Sequence, residues 1–367
     1  MCLSQVSSFL ISVISVISVI SVISVISVAD FRLNLVKFEY MKILLVNQSE
    51  VAKWLPMREC IDVMAGAFKM LASGNTLLPL RPIMWLPERV SALAMMPAYM
   101  KDFNAMGLKV LALFPGNHGT QYDSHQGAVL LCEATHGSLL AIMDATAITA
   151  IRTAAVSGLA TQLLAREDAG ELAILGTGTQ ARTHLEVMLL VRKITRVRVW
   201  SRKAEHARKF VEHESLRYQI KIDPVETARD AILDADIICT TTAAKEPVVL
   251  GEWLKPGAHI NAVGACTPNA RELDTNAMLK SHLIIDRRES ALHEAGDFII
   301  PQNEGALDDT HIRGELGEVL LGQMHGRIAP EQITLFKSLG LAIEDLAAAQ
   351  YIYTKMTAQG AGTWIEW

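Results

Sequence analysis

Three cations stand inside apolar stretches of the chain. Arg81 lies in LLPLRPIMWL, Lys109 in GLKVLALFP, and Arg152 near the start of a helix-like run from Ile148 to Arg166. A cation in such a place is most often a surface residue whose alkyl stem lies along apolar chain. Three in one portion of sequence also form a set that can grip a carboxylate through guanidinium groups and polarise a neighbouring atom through an ammonium. Ser124-His125-Gln126, past Pro115-Gly116-Asn117, adds polar groups at the lip of a strand. His125 alone reads equally well as a surface histidine.

A second chemistry-bearing stretch is ELAILGTGTQA, Glu171 to Ala181. Leu172 to Leu175 read as a short, buried parallel strand. Gly176-Thr177-Gly178-Thr179-Gln180 then forms a turn in which the glycines let backbone amides approach a ligand. Ala181 supplies the small residue for helix-on-strand packing. This is G-x-G-x-x-A, the dinucleotide fingerprint, and its context supports it. A helix-compatible segment follows, then Val197 to Trp200 as a second strand, and directly after it Ser201-Arg202-Lys203. At that place an acid would bind a ribose hydroxyl, whereas an arginine suits a 2′-phosphate. NADPH is therefore expected ahead of NADH. Read simply as a solvated basic turn, the same residues would carry no such preference.

The elements that position these groups fall into two blocks. Met41 to Val46 reads as a strand, Asn47 or Ser49 as a helix cap, and Met57 to Ser73 as a helix stopped by Gly74-Asn75. From residue 76 to 144, five short strands separated by Pro, Gly, Asn and Asp suggest a curved, largely antiparallel sheet. After the fingerprint, Asp223 to Ala235 reads as a helix, and Asp236 to Thr240, His259 to Gly264 and His282 to Asp286 as parallel strands. Thr240 stands at a strand's C-terminal end, where open α/β sheets hold ligands. The Ala-rich helix from Ala342 to Met356 reads as plain packing.

The fold class expected is α/β, a Rossmann-type doubly wound NAD(P)-binding domain plus an α+β substrate-binding and dimerisation domain. The boundaries expected are 41–150 with 335–358 for the substrate block and 151–334 for the dinucleotide block. Residues 1–40, with Ile-Ser-Val reiterated from Ile11 to Val28, look unlike the rest. The apolar run over 9–28 is long enough to span a bilayer, but no Lys or Arg precedes it. An extension outside the fold is the expectation, a membrane anchor the alternative.

The 367 residues, half of them hydrophobic, suffice for two cores, and a net charge of −5 argues against a nucleic-acid partner. Five scattered cysteines without C-x-x-C spacing point to a reducing, cytoplasmic compartment and away from structural zinc.

The motifs MPAY, FPGN, SHQ at 124–126, LLAIMD, ITAIRTAA, LGTGTQA, GEWLKPGAHINAVGA, RELD at 271–274, GELGEV, and FKSLG followed by AIEDLAAA together resemble the ornithine cyclodeaminase/mu-crystallin family from about Met41 to Met356. The likeness is nearest to its ketimine-reductase branch. It implies a homodimer paired through the antiparallel domain. By the same resemblance, Arg81 and Arg152 would bind the substrate carboxylate, and Lys109 would sit beside the reacting carbon and nitrogen. Gly176, Gly178, Thr179 and Gln180 would hold the pyrophosphate, and Ser201 and Arg202 the adenosine phosphate. Val263, Cys266, Lys337, Ser338 and Leu339 would line the nicotinamide.

Cyclodeaminases carry an aspartate two residues after the glycine of the NAVG strand, where this chain has Cys266. A neutral thiol is a poor substitute for a carboxylate base. The activity expected is NADPH-dependent reduction of the C=N bond of a cyclic ketimine carboxylate, such as pyrroline- or piperideine-2-carboxylate, to a cyclic amino acid. The resemblance leaves open another amino-acid or opine dehydrogenase, a cyclodeaminase, and a non-enzymatic thyroid-hormone carrier or crystallin.

Overall fold

Alternating burial builds the first of two sheets. In the computed structural model, which describes residues 42–117 and 120–367, its first seven strands are β1 (Lys42–Val46), β2 (Thr76–Leu77), β3 (Ile83–Trp85), β4 (Ala92–Met100), β5 (Ala105–Leu113), β6 (His125–Glu133) and β7 (Leu139–Asp144). They lie in the order β1-β7-β6-β5-β4-β2, with β3 also on β4. Only β1 and β7 run parallel; the other pairs are antiparallel. In β4, Ala92, Ala94, Met96, Ala98 and Met100 are buried, while Leu93, Met95, Pro97 and Tyr99 are half-exposed, the period-two pattern of a sheet with one covered face. That face is covered by the helices Ala145–Leu164 and Ala342–Ala358, on which the helix Met57–Ala72 packs in turn. Asn47 caps the preceding helix Gln48–Trp54 through a capping box with Glu50.

The second sheet is wholly parallel. It comprises β8 (Glu171–Leu175), β9 (Arg196–Trp200), β10 (Lys221–Pro224), β11 (Ile237–Thr240), β12 (His259–Ala262), β13 (Ser281–Ile285), β14 (Ile312–Glu315) and β15 (Ile333–Lys337). Its order is β10-β9-β8-β11-β12-β15-β13-β14. The chain therefore winds outward from β8 in one direction and resumes beside β8 at β11, the doubly wound arrangement with its switch point between those strands. Leu172 to Leu175 are fully buried, as a strand covered on both faces requires. Finally β16 (Thr363–Glu366) returns to β1 at the edge of the first sheet.

The helix Ala145–Leu164 ties the sheets together. It packs on the helix Thr179–Val191 of the second sheet and on β6 of the first. Gly158 permits this crossing, since a Cβ there would come within 2.3 Å of Val187. Among the described residues it is the one helix long and apolar enough to span a bilayer. With most of it buried inside the fold, it is a core helix. Ile43–Ile365 forms one compact unit.

Four sequence expectations need correction. LLPLRPIMWL is not one strand: Pro79 and Pro82 lack the N–H a ladder needs, so only β2 and β3 form and Arg81 lies in irregular chain between them. Asp223 to Ala235 is not one helix either, because Lys221–Pro224 pairs with β9 and only Ala228–Ile232 is helical. A boundary between residues 150 and 151 would cut the continuous helix Ala145–Leu164, and Leu335 to Lys337 belong to β15 of the second sheet. The Ile-Ser-Val run and residues 9–28 lie outside the described residues.

Candidate active site

Lys109 points from the middle of β5 toward the covered side of the sheet and is 2% exposed. Above it begins the helix Ala342–Ala358, and Asp345 in that helix's first turn places Oδ2 2.7 Å from Lys109 Nζ. The same carboxylate accepts from Arg152 Nε through Oδ1 at 3.0 Å, and Arg152 Nη1 donates to Glu344 Oε2 at 2.6 Å. An acidic first turn is favoured by the helix macrodipole, and here it also meets two buried cations. Burial lowers the Lys109 pKa to about 8; Asp345 opposes the fall, and the charges of Arg152 and Arg81 add to it. For Arg152 burial works against the charge, but Asp345 and Glu344 outweigh it and hold the guanidinium above its ordinary range.

Arg81 approaches the same place from the segment between β2 and β3. Its Nε lies 3.0 and 2.9 Å from the two oxygens of Glu294, its Nη2 also reaches that carboxylate, and Nη2 donates to Leu339 O at 2.9 Å. Two terminal nitrogens, Arg81 Nη1 and Arg152 Nη2, are left without a hydrogen-bond partner among the described residues. Each arginine is thus half committed to carboxylates of its own chain.

The turn from β15 into the last helix runs between the arginines. Asp286 accepts the N–H groups of Leu339 and Gly340, Glu344 accepts that of Leu341 at 2.9 Å, and Gly340 at φ +75° lies so close to Arg152 that a Cβ would come within 2.6 Å of Nη1. Burial and the nearby Glu344 push the Asp286 carboxyl up to about 7 against those N–H bonds.

The dinucleotide turn lies at the switch point. Gly176 takes φ +110°, and a Cβ there would meet Thr241 O at 2.7 Å; Gly178 faces open space. Gly178 begins the helix Thr179–Val191 without any side-chain cap, leaving first-turn amides for a ligand. Gln180 Nε2 donates to Thr149 O at 3.3 Å, and Lys109 Nζ to Thr149 Oγ1 at 3.4 Å, so the turn and the lysine meet on one residue. Gln180 Oε1 and Ser338 Oγ are buried without a hydrogen-bond partner among the described residues. An open glycine cradle and two such polar atoms at strand ends fit a dinucleotide coenzyme.

The other expected coenzyme residues divide. Thr177 lies in the turn, and Ser201, Arg202 and Lys203 follow β9 directly, the latter two exposed. Val263 and Cys266 follow β12, with Cys266 Sγ donating to Val263 O at 3.3 Å. Two residues are committed elsewhere. Thr240 gives its hydroxyl to buried Glu272 at 2.7 Å, and Lys337 is buried with Nζ 2.6 Å from Ala265 O and 2.9 Å from Asp297 Oδ2. They brace the strand ends from within the protein, and Leu339 contributes its carbonyl to Arg81. Ser124 and His125 stand at the start of β6, His125 opposite Leu113, while Lys109 is opposite Val129. That separation of four strand positions is about 13 Å.

The family model for the ornithine cyclodeaminase/mu-crystallin family matches residues 41–360. The chain belongs to this family. Ketimine reductase mu-crystallin of Mus musculus is 41% identical over 280 residues, 76% of this chain and 85% of the mouse protein. Among solved structures, Δ1-pyrroline-2-carboxylate reductase of Thermococcus litoralis, in complex with NADH and L-proline, aligns with TM-score 0.85 and 41% identity over 88% of this chain and 99% of that one. An archaeal alanine dehydrogenase dimer with bound NAD aligns with TM-score 0.84 and 32% identity over 89% and 100% of the two chains.

In this family member, sequence reasoning missed the anions. Glu344 and Asp345 sit in a helix read as plain packing, although two adjacent acids in an otherwise apolar, Ala-rich segment were a usable signal. Glu272 lies in the noted RELD motif, and its carboxylate also takes Thr242 and Gly264. Glu294 had no signal beyond being one acid among several in an ordinary helix.

Replacing Asp345 by Asn removes the group that supports the Lys109 charge. Lysine-labelled Asp345→Asn protein should show, by the Lys109 Cε chemical shift, proton loss at a pH below about 8. Its unfolding free energy should fall by roughly 3–5 kcal/mol, the usual cost of leaving a buried cation without its partner. An unchanged titration would contradict the geometry.

Proposed function

We propose that this protein reduces the C=N bond of cyclic ketimine carboxylates of the pyrroline- or piperideine-2-carboxylate type to cyclic amino acids, using NADPH. The observation that carries the substrate class is the pair of uncommitted nitrogens, Arg81 Nη1 and Arg152 Nη2, beside the ammonium of Lys109. Two N–H groups from two directions match the two oxygens of one carboxylate. Two relatives, the mouse ketimine reductase and the Thermococcus pyrroline-2-carboxylate reductase, are named for this chemistry.

The turn Gly176 to Gln180 would hold a reduced nicotinamide coenzyme, which would supply a hydride to the imine carbon as that carbon's π bond to nitrogen breaks. The nitrogen gains a proton, so one C–H and one N–H bond replace the C=N π bond. Arg81 and Arg152 fix the ring by its carboxylate and so set which carbon is presented. Lys109, with its pKa near 8, is protonated at neutral pH and close enough to its proton-loss range to give a proton to the ring nitrogen or restore one to it. The buried setting keeps bulk water from this exchange.

NADPH rests on Arg202, exposed directly after β9, with Ser201 beside it and no acid at that position. The dimer rests on the outer face of the first sheet. Leu93, Met95, Pro97 and Tyr99 of β4 lie beside Leu108 and Val110 of β5 on a face where a solvated sheet would carry polar residues. An apolar patch of this kind marks an association surface, and the aligned alanine dehydrogenase is a dimer. Pairing there would press the back of β5 while Lys109 occupies its front.

Purified protein should oxidise NADPH with pyrroline-2-carboxylate or piperideine-2-carboxylate, with kcat/KM falling roughly 10²-fold or more in Arg81→Ala. Ornithine should give little or no turnover, and ornithine deamination at a comparable rate would overturn the reading. In Arg202→Asp the NADPH over NADH preference should drop on the order of tenfold or more, as loss of one charge-assisted contact implies. A ratio that stays fixed places the phosphate elsewhere. Light scattering of a Leu108→Glu, Val110→Glu variant should give half the mass of the parent protein; an equal mass rules this face out as the pairing surface.

A further inference from the structure

We propose that Glu272 is a positioning residue that, together with Asp297, gives the strand ends an excess negative charge and so favours the oxidised, cationic form of the nicotinamide coenzyme. The proposal rests on the ketimine-reductase reading. Four strands of the parallel sheet end level with one another: the paired residues Leu175, Thr240, Ala262 and Lys337 lie in one row across β8, β11, β12 and β15. The coenzyme turn leaves β8 at Gly176, and the basic residues suited to the adenosine phosphate follow β9, on one side of it. The rest of a dinucleotide then extends to the other side, over β11, β12 and β15. The turn that reaches Arg81 and Arg152 begins there too.

Glu272 is bonded directly to those strand ends. Its Oε2 accepts from Thr240 Oγ1 and from the Gly264 amide, both at 2.7 Å, and its Oε1 from the amide and hydroxyl of Thr242 at 2.8 and 2.7 Å. Burial and Asp297 raise its pKa, while Lys337 and the threonine hydroxyls oppose the rise. Each oxygen already takes two donors, and two of the four are backbone N–H groups that can only donate, so the carboxylate is held in its ionised form. Asp297 accepts the amides of Glu272 and Leu273 on Oδ1 at 2.7 and 3.0 Å, and its Oδ2 lies 2.9 Å from Lys337 Nζ. Burial works against the Lys337 charge, but Asp297, Cys266 and Glu272 outweigh it. Two carboxylates thus share one ammonium, and all three groups are at most 1% exposed, so water screens the excess little.

The arginine clamp does not cancel that excess, because its three cations, Arg81, Lys109 and Arg152, meet three carboxylates of their own, Glu294, Glu344 and Asp345. A hydride takes one proton and two electrons away from the nicotinamide ring, which becomes one unit more positive. Fixed negative charge at the strand ends attracts the ring in that state and not in the reduced one, as a preorganised field acts where charge develops. Two unit charges about 10 Å apart, at an effective dielectric constant of about 20, change an equilibrium by roughly tenfold. Gly264 keeps the chain close to the source of this field, since a Cβ there would come within 2.5 Å of Glu272 Oε1.

The test compares the dissociation constants of NADP⁺ and NADPH, measured by calorimetry without imine, in wild type, Glu272→Gln and Asp297→Asn. Each variant should lose about tenfold more affinity for NADP⁺ than for NADPH, a shift of about 30 mV in the potential of the bound coenzyme. Loosened strand ends alone would weaken both forms alike, so a folded variant with an unchanged ratio overturns the proposal. Should neither variant fold, wild type decides: NADP⁺ held at least as tightly as NADPH supports the proposal, and NADPH held more tightly overturns it. A protein that reduces cyclic imines while its variants keep the ratio defeats this inference alone; one that binds neither coenzyme form defeats the ketimine-reductase reading with it.

Discussion

One carboxylate holds two cations under the antiparallel sheet. Asp345 lies 2.7 Å from Lys109 and 3.0 Å from Arg152, and all three are almost wholly buried. Taking three ions out of water costs several kcal/mol each, and an apolar trio of the same volume would often be as stable or more so. The arrangement is explained by what it does to Lys109. Burial alone would lower the lysine further, and Asp345 limits the fall to about 8, so the ammonium persists at neutral pH. The carboxylate itself stays ionised because Arg152 and Lys109 overcome the effect of burial on its pKa. Each member therefore fixes the protonation state of the next.

The same constraint explains how the two sheets are joined. Asp345 belongs to a helix that leaves β15 of the dinucleotide sheet and packs on β4, β5 and β6 of the other. Of the four residues between strand and helix, Leu339, Gly340 and Leu341 have their amides held by Asp286 and Glu344, and the Leu339 carbonyl accepts from Arg81. This short turn is thus hydrogen-bonded to both blocks. Gly340 is required there, since its φ of +75° and its closeness to Arg152 both exclude a Cβ. Thr149 makes a second link, meeting Lys109 through its hydroxyl and Gln180 of the coenzyme turn through its carbonyl.

Much of this was legible in the chain, for reasons that differ by element. The fingerprint turn was readable because its glycines serve backbone geometry that depends on a few neighbouring residues. Strands β8, β9, β11, β12 and β13 were readable because buried parallel strands are short and rich in apolar residues, even where Arg198 interrupts β9 and Asn261 interrupts β12. The cations Arg81, Lys109 and Arg152 were visible as charges out of place, whereas their counter-ions were not. Glu294 pairs with Arg81 across 213 residues and Asp345 with Arg152 across 193, and nothing local announces such a partner. Strand β10 was missed because Lys221-Ile222-Asp223-Pro224 has one apolar side chain and owes its conformation to pairing with β9. Propensity was overridden by the neighbouring strand, as is common at sheet edges.

Cys266 bears on which member of the family this chain can be. Its thiol sits at the end of β12, donates to Val263 O, and is pushed up by burial, with Lys337 and Arg81 pulling the other way and Asp286 and Glu272 adding to the rise. A group held protonated in this way cannot remove a proton from an amine or direct a water molecule, which is what a deamination asks of that position. The surrounding carboxylates do not replace it. Glu272 is spent on Thr240, Thr242 and Gly264, and Asp286 on the amides of Arg287, Leu339 and Gly340. Among the described residues, Glu272 and Asp286 are thus tied to backbone or hydroxyl groups and Glu344 and Asp345 to the buried cations, while Lys109 carries a proton beside the arginines. A site with a proton donor at Lys109 and a protonated thiol at the Cys266 position suits addition of hydride to an imine, in which nitrogen gains a proton, better than loss of an amine, in which a base must first take one.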